Sequence, residues 1–154
     1  MTETERLAAI EAIRQVKATY VRGVDTGDAR LVRSILHDEC ELDYVDCFVD
    51  PNSGQDFFPA MSIVLKGRKN FGSALVDLGI VSVHQVYIPE IELESDTAAR
   101  AIWPMVDRLW FPAGAEWTAI TGYGHYRETY EKIGDAWKLK TTKVTRLRVE
   151  GVRG

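Results

Sequence analysis

Apolar residues recur along this chain with two different periods, and the change of period divides it in two. From Thr4 to about Val24, the residues Ile10, Ile13, Val16, Tyr20, Val21 and Val24 return at helical spacing. Glu11, Arg14 and Lys17 are assigned to the other face, so the pattern predicts an amphipathic helix. Gly27 is placed to end it in a left-handed conformation, and Asp28 to cap a shorter helix over "ARLVRSIL", residues 29–36. Beyond that the period becomes two. "CELDYVDCFV", residues 40–49, alternates Cys40, Leu42 and Tyr44 with Glu41 and Asp43, the pattern of a strand wet on one side.

From Asp50 to Lys66, Pro, Asn, Ser and Gly cluster before an apolar flank, which predicts a long loop able to cover something. "RKNFGSALVDLG", residues 68–79, reads as a third helix. The rest reads as β: residues 81–94, 98–111, 117–133 and 136–149, joined by turns at "SDT" and "GD" and by the loop "PAGAE". Helices followed by a meander of long strands imply an α+β class, with helices on one face of a mostly antiparallel sheet. Pro89 and Pro104 imply bulges or edge positions, hence a bent sheet. A curved sheet wrapped over helices encloses a pocket.

At 154 residues the chain is expected to form one domain, 1–154, able to bury roughly 70% of its unfolded surface. A net charge of −4 without charge blocks offers no basic stripe for nucleic acid, and the basic tail "KTTKVTRLRVEGVRG" reads as the wet face of a terminal strand. The first residues, "MTETERLAAIEAIRQ", carry acids where a signal peptide needs bases, and no apolar run approaches the ~18–20 residues of a membrane span. A cytoplasmic protein that contacts no membrane is expected. Cys40 and Cys47 should face opposite sides of one strand, which argues against a disulfide or a metal pair.

Chemistry then concentrates on a few polar residues set on apolar faces. In "ARAIWPMVDRLWF", Asp107 shares a face with Trp103, Met105 and Leu109, so its carboxylate must be paired, protonated or at the edge of a solvated cavity. Pairing with an arginine of the neighbouring strand is the simplest structural account. His84 shares a face with Ser82, Val86 and Ile88, and is either a hydrogen-bonded core residue or a base. Asp25, in the last turn of the first helix where the macrodipole disfavours an acid, is a candidate partner for that imidazole. Tyr20, about one turn earlier, could bring a phenol to the same place. Arg146 and Arg148 alternate with Leu147 and are expected to share a solvent-facing side. His125 lies between glycines that suggest sheet curvature, and His37 is expected in an exposed polar turn. Metal-ligand spacings, GxSxG and P-loop patterns are absent.

Four stretches, "AIRQVKATYVRGVDTGD", "VHQVYIPEIELESDTAARAIWPMVD", "GYGHYRETYEKIGDAWKLK" and "KVTRLRV", together resemble the SnoaL-like branch of the nuclear transport factor 2-like superfamily. The resemblance is to bile-acid 7α-dehydratase-like and scytalone dehydratase-like proteins in particular. It implies a cone-shaped α+β barrel, a strongly curved sheet around an apolar pocket closed by N-terminal helices. It places catalytic roles on Tyr20, Asp25, His84, Asp107 and Arg146, with Tyr44, Trp103, Met105 and Leu109 expected around the substrate. Scytalone dehydratase has a second active-site histidine on the strand that here carries Asp107. The loop from Asp50 to Lys66 has no counterpart that can be placed, so a bile-acid substrate is not implied. The expected activity is a lyase, a dehydratase that eliminates water from a hydroxylated ring compound through a His–Asp dyad, requiring no metal or organic cofactor. A ketosteroid-isomerase-type reaction or a non-catalytic binding module are the alternatives. A homo-oligomer is expected, a trimer before a dimer.

Overall fold

The computed structural model describes residues 1–154. Helix α1 (Glu3–Thr26) starts at a capping box, in which Thr2 Oγ1 accepts from the Glu5 amide and Glu5 answers by accepting from the Thr2 amide. It ends where Gly27 turns left-handed at φ 70° and gives its N–H to the carbonyls of Gly23 and Val24. Asp28 then caps α2 (Ala29–Ile35) by accepting from the Leu31 amide at 2.9 Å. One correction falls on α1. Lys17, assigned to the wet face for its charge, points inward and is 1% exposed.

Strand β1 (Leu36–Asp43) begins and ends earlier than the alternation predicts. Asp43 Oδ1 accepts from the Val45 amide at 3.0 Å, an Asx turn that stops the strand, so Cys47 lies in a turn rather than opposite Cys40 on a strand. Both cysteines are free and buried. His37 lies in β1 and not in an exposed turn, its side chain 11% exposed. After the long loop come β2 (Val64–Lys66), a 3-10 turn at Arg68–Asn70 and the short helix α3 (Ala74–Asp77). The predicted third helix is thus reduced to one turn, because Gly72 interrupts it.

The predicted 81–94 strand splits at Pro89 into β3 (Val81–Val86) and β4 (Glu90–Leu93), which leaves Ile88 on the surface, off the His84 face. Both halves pair with β5 (Ala98–Trp110), which pairs with β6 (Trp117–Ile133), and β6 with β7 (Ala136–Arg153). Pro104 sits at the changeover between β3 and β4. Its carbonyl accepts from Tyr87, and its missing N–H faces the break, where no ladder bond is lost. The sheet order is β2-β1-β7-β6-β5-β3, with β4 beside β5; only β1 and β7 run parallel. Three register shifts between β6 and β7 add local twist, and the sheet curls around α1. This is the α+β fold, a strongly curved sheet with helices against its inner face, that the sequence predicts.

Candidate active site

α1 and β3 meet at His84. Asp25, in the last turn of α1, accepts the His84 Nδ1–H at 2.6 Å and the His84 amide at 2.8 Å, and Ser82 Oγ adds a bond at 2.9 Å. These three bonds offset the unfavourable end of the helix dipole. They also set the tautomer: with its proton on Nδ1, His84 keeps a lone pair on Nε2. That nitrogen lies 3.8 Å from Asp107 Oδ2, too far for a hydrogen bond, and faces a cavity.

Register places Asp107 directly opposite His84 on β5. Its partner is Arg146, which is buried, contrary to the solvent-facing expectation, with Nη1 and Nη2 donating to the two carboxylate oxygens at 2.8 and 3.0 Å. The arginine comes from β7, two strands away, and not from the neighbouring strand. It reaches across because β6 has glycine at the intervening position: Gly122 pairs with Asp107, and a Cβ there would lie 2.5 Å from Asp107 Oδ1. Gly122→Ala is therefore expected to push the pair apart and lower any turnover at this site at least about tenfold, with a stability loss of about 1–3 kcal/mol, checked by kinetics and thermal melts on the same preparation.

Arg146 is held from two more sides. Nε donates to the Cys47 carbonyl, and the guanidinium lies 5.0 Å from the Phe48 ring centroid. Burial disfavours its charge, but Asp107 beside it more than restores it, so its pKa is raised. Burial pushes the Cys47 thiol up to about 12, with Arg146 opposing and Asp107 adding to the shift, so this cavity-lining cysteine is a thiol and not a nucleophile.

The cavity in front of these groups measures about 330 Å³. Tyr20, Tyr44, His84, Asp107, Tyr126 and Arg146 line it together with an apolar wall that includes Phe48, Met61, Leu65, Phe71 and Val144. The tyrosines form its floor, with the Tyr20 and Tyr44 hydroxyls 2.6 Å apart. Four of the five residues expected to be catalytic thus line the space, the fifth, Asp25, stands behind His84, and Tyr44 lines the space as expected. Trp103, Met105 and Leu109 do not line it: they are buried behind it, Trp103 donating to the Tyr130 hydroxyl and Met105 touching Arg146 through sulfur. His125 lies outside the lining. The loop from Asp50 onward supplies Met61 and Ile63 to the wall, and β2 after it supplies Leu65. It is pinned to β7 by Asp50, which accepts from the Val149 amide, and by Asn52, which donates to the Leu147 carbonyl. Hydrogen bonds from Ser53, Val149 and Asn52, working against burial, hold the Asp50 carboxyl well below the usual range.

The model of the SnoaL-like domain matches residues 5–143. The chain belongs to the SnoaL-like family. Among solved structures, this SnoaL-like chain is similar to a candidate scytalone dehydratase from Novosphingobium aromaticivorans, at 17% identity and a TM-score of 0.76 over 99% of this chain and 93% of that one. It is also similar to a type-2 hexachlorocyclohexane dehydrochlorinase, at 18% identity and a TM-score of 0.75 over 99% and 95% of the two chains. A type-3 enzyme of that name from Novosphingobium barchaimii matches at 18% identity and a TM-score of 0.72, over 99% and 96%. At such identities the likeness is one of fold.

Beneath the tyrosine floor, this SnoaL-like chain holds a second ion pair that sequence reasoning misses. Lys17 Nζ lies 2.9 Å from Glu128 Oε1, with side chains 1% and 0% exposed. The signal was present in the spacing, since Lys17 stands four residues after Ile13 and three before Tyr20, on the apolar stripe itself. Burial lowers the lysine's pKa to about 8, with Glu128 opposing. Because the unfolded chain holds that proton up to the ordinary lysine range, stability should rise with pH between about 8 and 10.5 and be lost as pH falls through about 8. Urea unfolding across that interval checks this: the wild-type curve should climb relative to that of the Lys17→Met/Glu128→Gln variant.

Proposed function

We propose that the cavity is the active site of a cofactor-independent dehydratase, a carbon–oxygen lyase acting on a small hydroxylated ring ketone. The observation that carries this reading is His84, whose Nδ1 is fixed by Asp25 and whose Nε2 is left free toward an apolar cavity. In the proposed reaction Nε2 takes a proton from the carbon next to the carbonyl, and the electron pair of that C–H bond becomes an enolate. The enolate re-forms the carbonyl and a C=C bond as the adjacent C–O bond breaks, and the departing hydroxyl takes the proton back from the imidazolium to leave as water. His84 returns to its starting state, so atoms and charges balance.

The surroundings suit each step. Asp25 and Asp107 flank the imidazole and stabilise its cationic form. The Tyr20–Tyr44 hydroxyl pair supplies a donor for the enolate oxygen, the preorganised kind worth a few kcal/mol in a dry site. Arg146 occupies both oxygens of Asp107, so protonating that carboxylate would sacrifice one of two charge-assisted bonds; its role is to orient and to balance charge, and the imidazolium is the acid. At about 330 Å³ the cavity suits one or two fused rings, and its aromatic and aliphatic wall favours them. The test is a screen of hydroxylated ring ketones for loss of water, with the His84→Ala protein as blank. Double-bond migration without water release would convert the reading to an isomerase, and saturable binding with no turnover would convert it to a carrier.

A further inference from the structure

The Lys17–Glu128 pair takes no part in the elimination drawn above, and it is an awkward thing to bury. Lys17 Nζ and Glu128 Oε2 have no hydrogen-bond partner, so the contact at 2.9 Å is an ion pair without the bonds that normally offset desolvation. Isosteric replacement of such a pair by neutral groups is often neutral or stabilising, so stability gives no account of its presence. Its position does. Nζ lies 3.2 Å from the centroid of the Tyr126 ring and 4.6 Å from that of Tyr20. Those rings meet edge to face at 83°, and both line the cavity. Glu128 is itself anchored, accepting from the Tyr130 hydroxyl at 2.8 Å, which in turn accepts from Trp103 Nε1 at 3.1 Å. The floor of the cavity is therefore a layer of tyrosine rings with an ammonium held beneath it.

We propose that Lys17 is a positioning residue for that floor: its ammonium holds the Tyr126 and Tyr20 rings and strengthens the Tyr20–Tyr44 hydroxyl pair as a donor to an oxyanion formed in the cavity. The inference rests on the reading of the cavity as a reactive site. The physical cause is direct. A cation against a phenol ring draws electron density toward itself, which makes the hydroxyl proton more positive and its hydrogen bond to a negative oxygen stronger. Glu128 keeps the ammonium in place, and the Tyr130–Trp103 chain keeps Glu128 in place.

The probe is 4-nitrophenol, an uncharged ring with one hydroxyl that ionises near neutral pH, below the range in which Lys17 gives up its proton, and its ionisation inside the cavity is read from its absorbance. His84, Asp107 and Arg146 face the same cavity from β3, β5 and β7, with Cys47 and Asp77 also on its wall and Asp25 behind His84, and all are unchanged in every variant compared. Lys17→Met alone leaves the Glu128 carboxylate buried and uncompensated and can fail to fold, so Lys17→Met/Glu128→Gln is the decisive variant; the glutamine oxygen still accepts from Tyr130. The bound nitrophenol is expected to ionise about one pH unit higher in the double variant than in the wild type, a tenfold change in its ionisation constant, with an equal or higher melting temperature. In a Tyr20→Phe/Tyr44→Phe background the same replacement should add no further shift. Binding with unchanged ionisation in the double variant overturns the role of Lys17 and leaves the cavity reading standing. Failure of 4-nitrophenol to bind the wild type overturns both.

Discussion

Replacement of His84 by alanine is expected to lower kcat for the elimination by about a thousandfold or more, while the melting temperature stays within a few degrees of wild type. The rate effect follows from removing the only lone pair aimed into the cavity whose conjugate acid is stabilised on both sides. A positioned base is worth about 10²–10⁴ in rate, and a thousandfold is about 4 kcal/mol of transition-state stabilisation. The fold should survive because His84 contributes no packing that the sheet depends on: its backbone ladder with Asp107 is unchanged, and its amide still donates to Asp25. Asp25→Asn probes the same dyad from the other side. The amide oxygen can still accept from Nδ1, but it cannot stabilise an imidazolium or satisfy Ser82 and the His84 amide as a carboxylate does, so a loss of about a hundredfold or more with KM little changed is expected. Steady-state kinetics on any substrate found by the water-loss screen decides the matter, and wild-type turnover in both variants would remove the dyad.

How the sequence already pointed to this pair, and not to others, has a physical explanation. His84 was legible because strand alternation puts it inward with Ser82, and Asp25 because an acid at a helix C-terminus is locally unfavourable and calls for a partner. The α1–α2 corner followed from Gly27 and Asp28 for the same local reasons. Arg146 was legible only through the family resemblance, not from the strand pattern. Simple alternation gives Arg146 and Arg148 one face, but Tyr123 pairs with Arg148 and Gly124 with Arg146, so Leu147 is an extra residue in β7. That bulge turns Arg146 inward, 3% exposed, and leaves Arg148 on the surface, bound to Glu150. Trp103, Met105 and Leu109 are on the correct face of β5, yet the cavity occupies only part of that face; how far a pocket extends along a strand depends on the loop and helix opposite, which periodicity does not encode. Lys17 was hidden by its charge, because a helical stripe is assigned by apolarity and a buried ion pair breaks that rule on purpose or at a cost.

Arg146→Met should produce the largest stability effect of any single change in the cavity, a loss of about 3–5 kcal/mol and a fall in melting temperature of about 10 °C. Asp107 is 2% exposed, and without the guanidinium its charge would lie beside the His84 ring with no counter-ion bonded to it. The Cys47 carbonyl loses its donor as well, which loosens the turn that carries Phe48 into the cavity wall. Lysine should rescue little, since one ammonium cannot bond both carboxylate oxygens and the Cys47 carbonyl in the plane that the fork occupies. Replacing both partners, Arg146→Met with Asp107→Leu, should recover most of the stability and none of the activity. Urea unfolding of the four proteins measures this, and a single Arg146→Met variant as stable as wild type would show that the bidentate pair does not hold the cavity together.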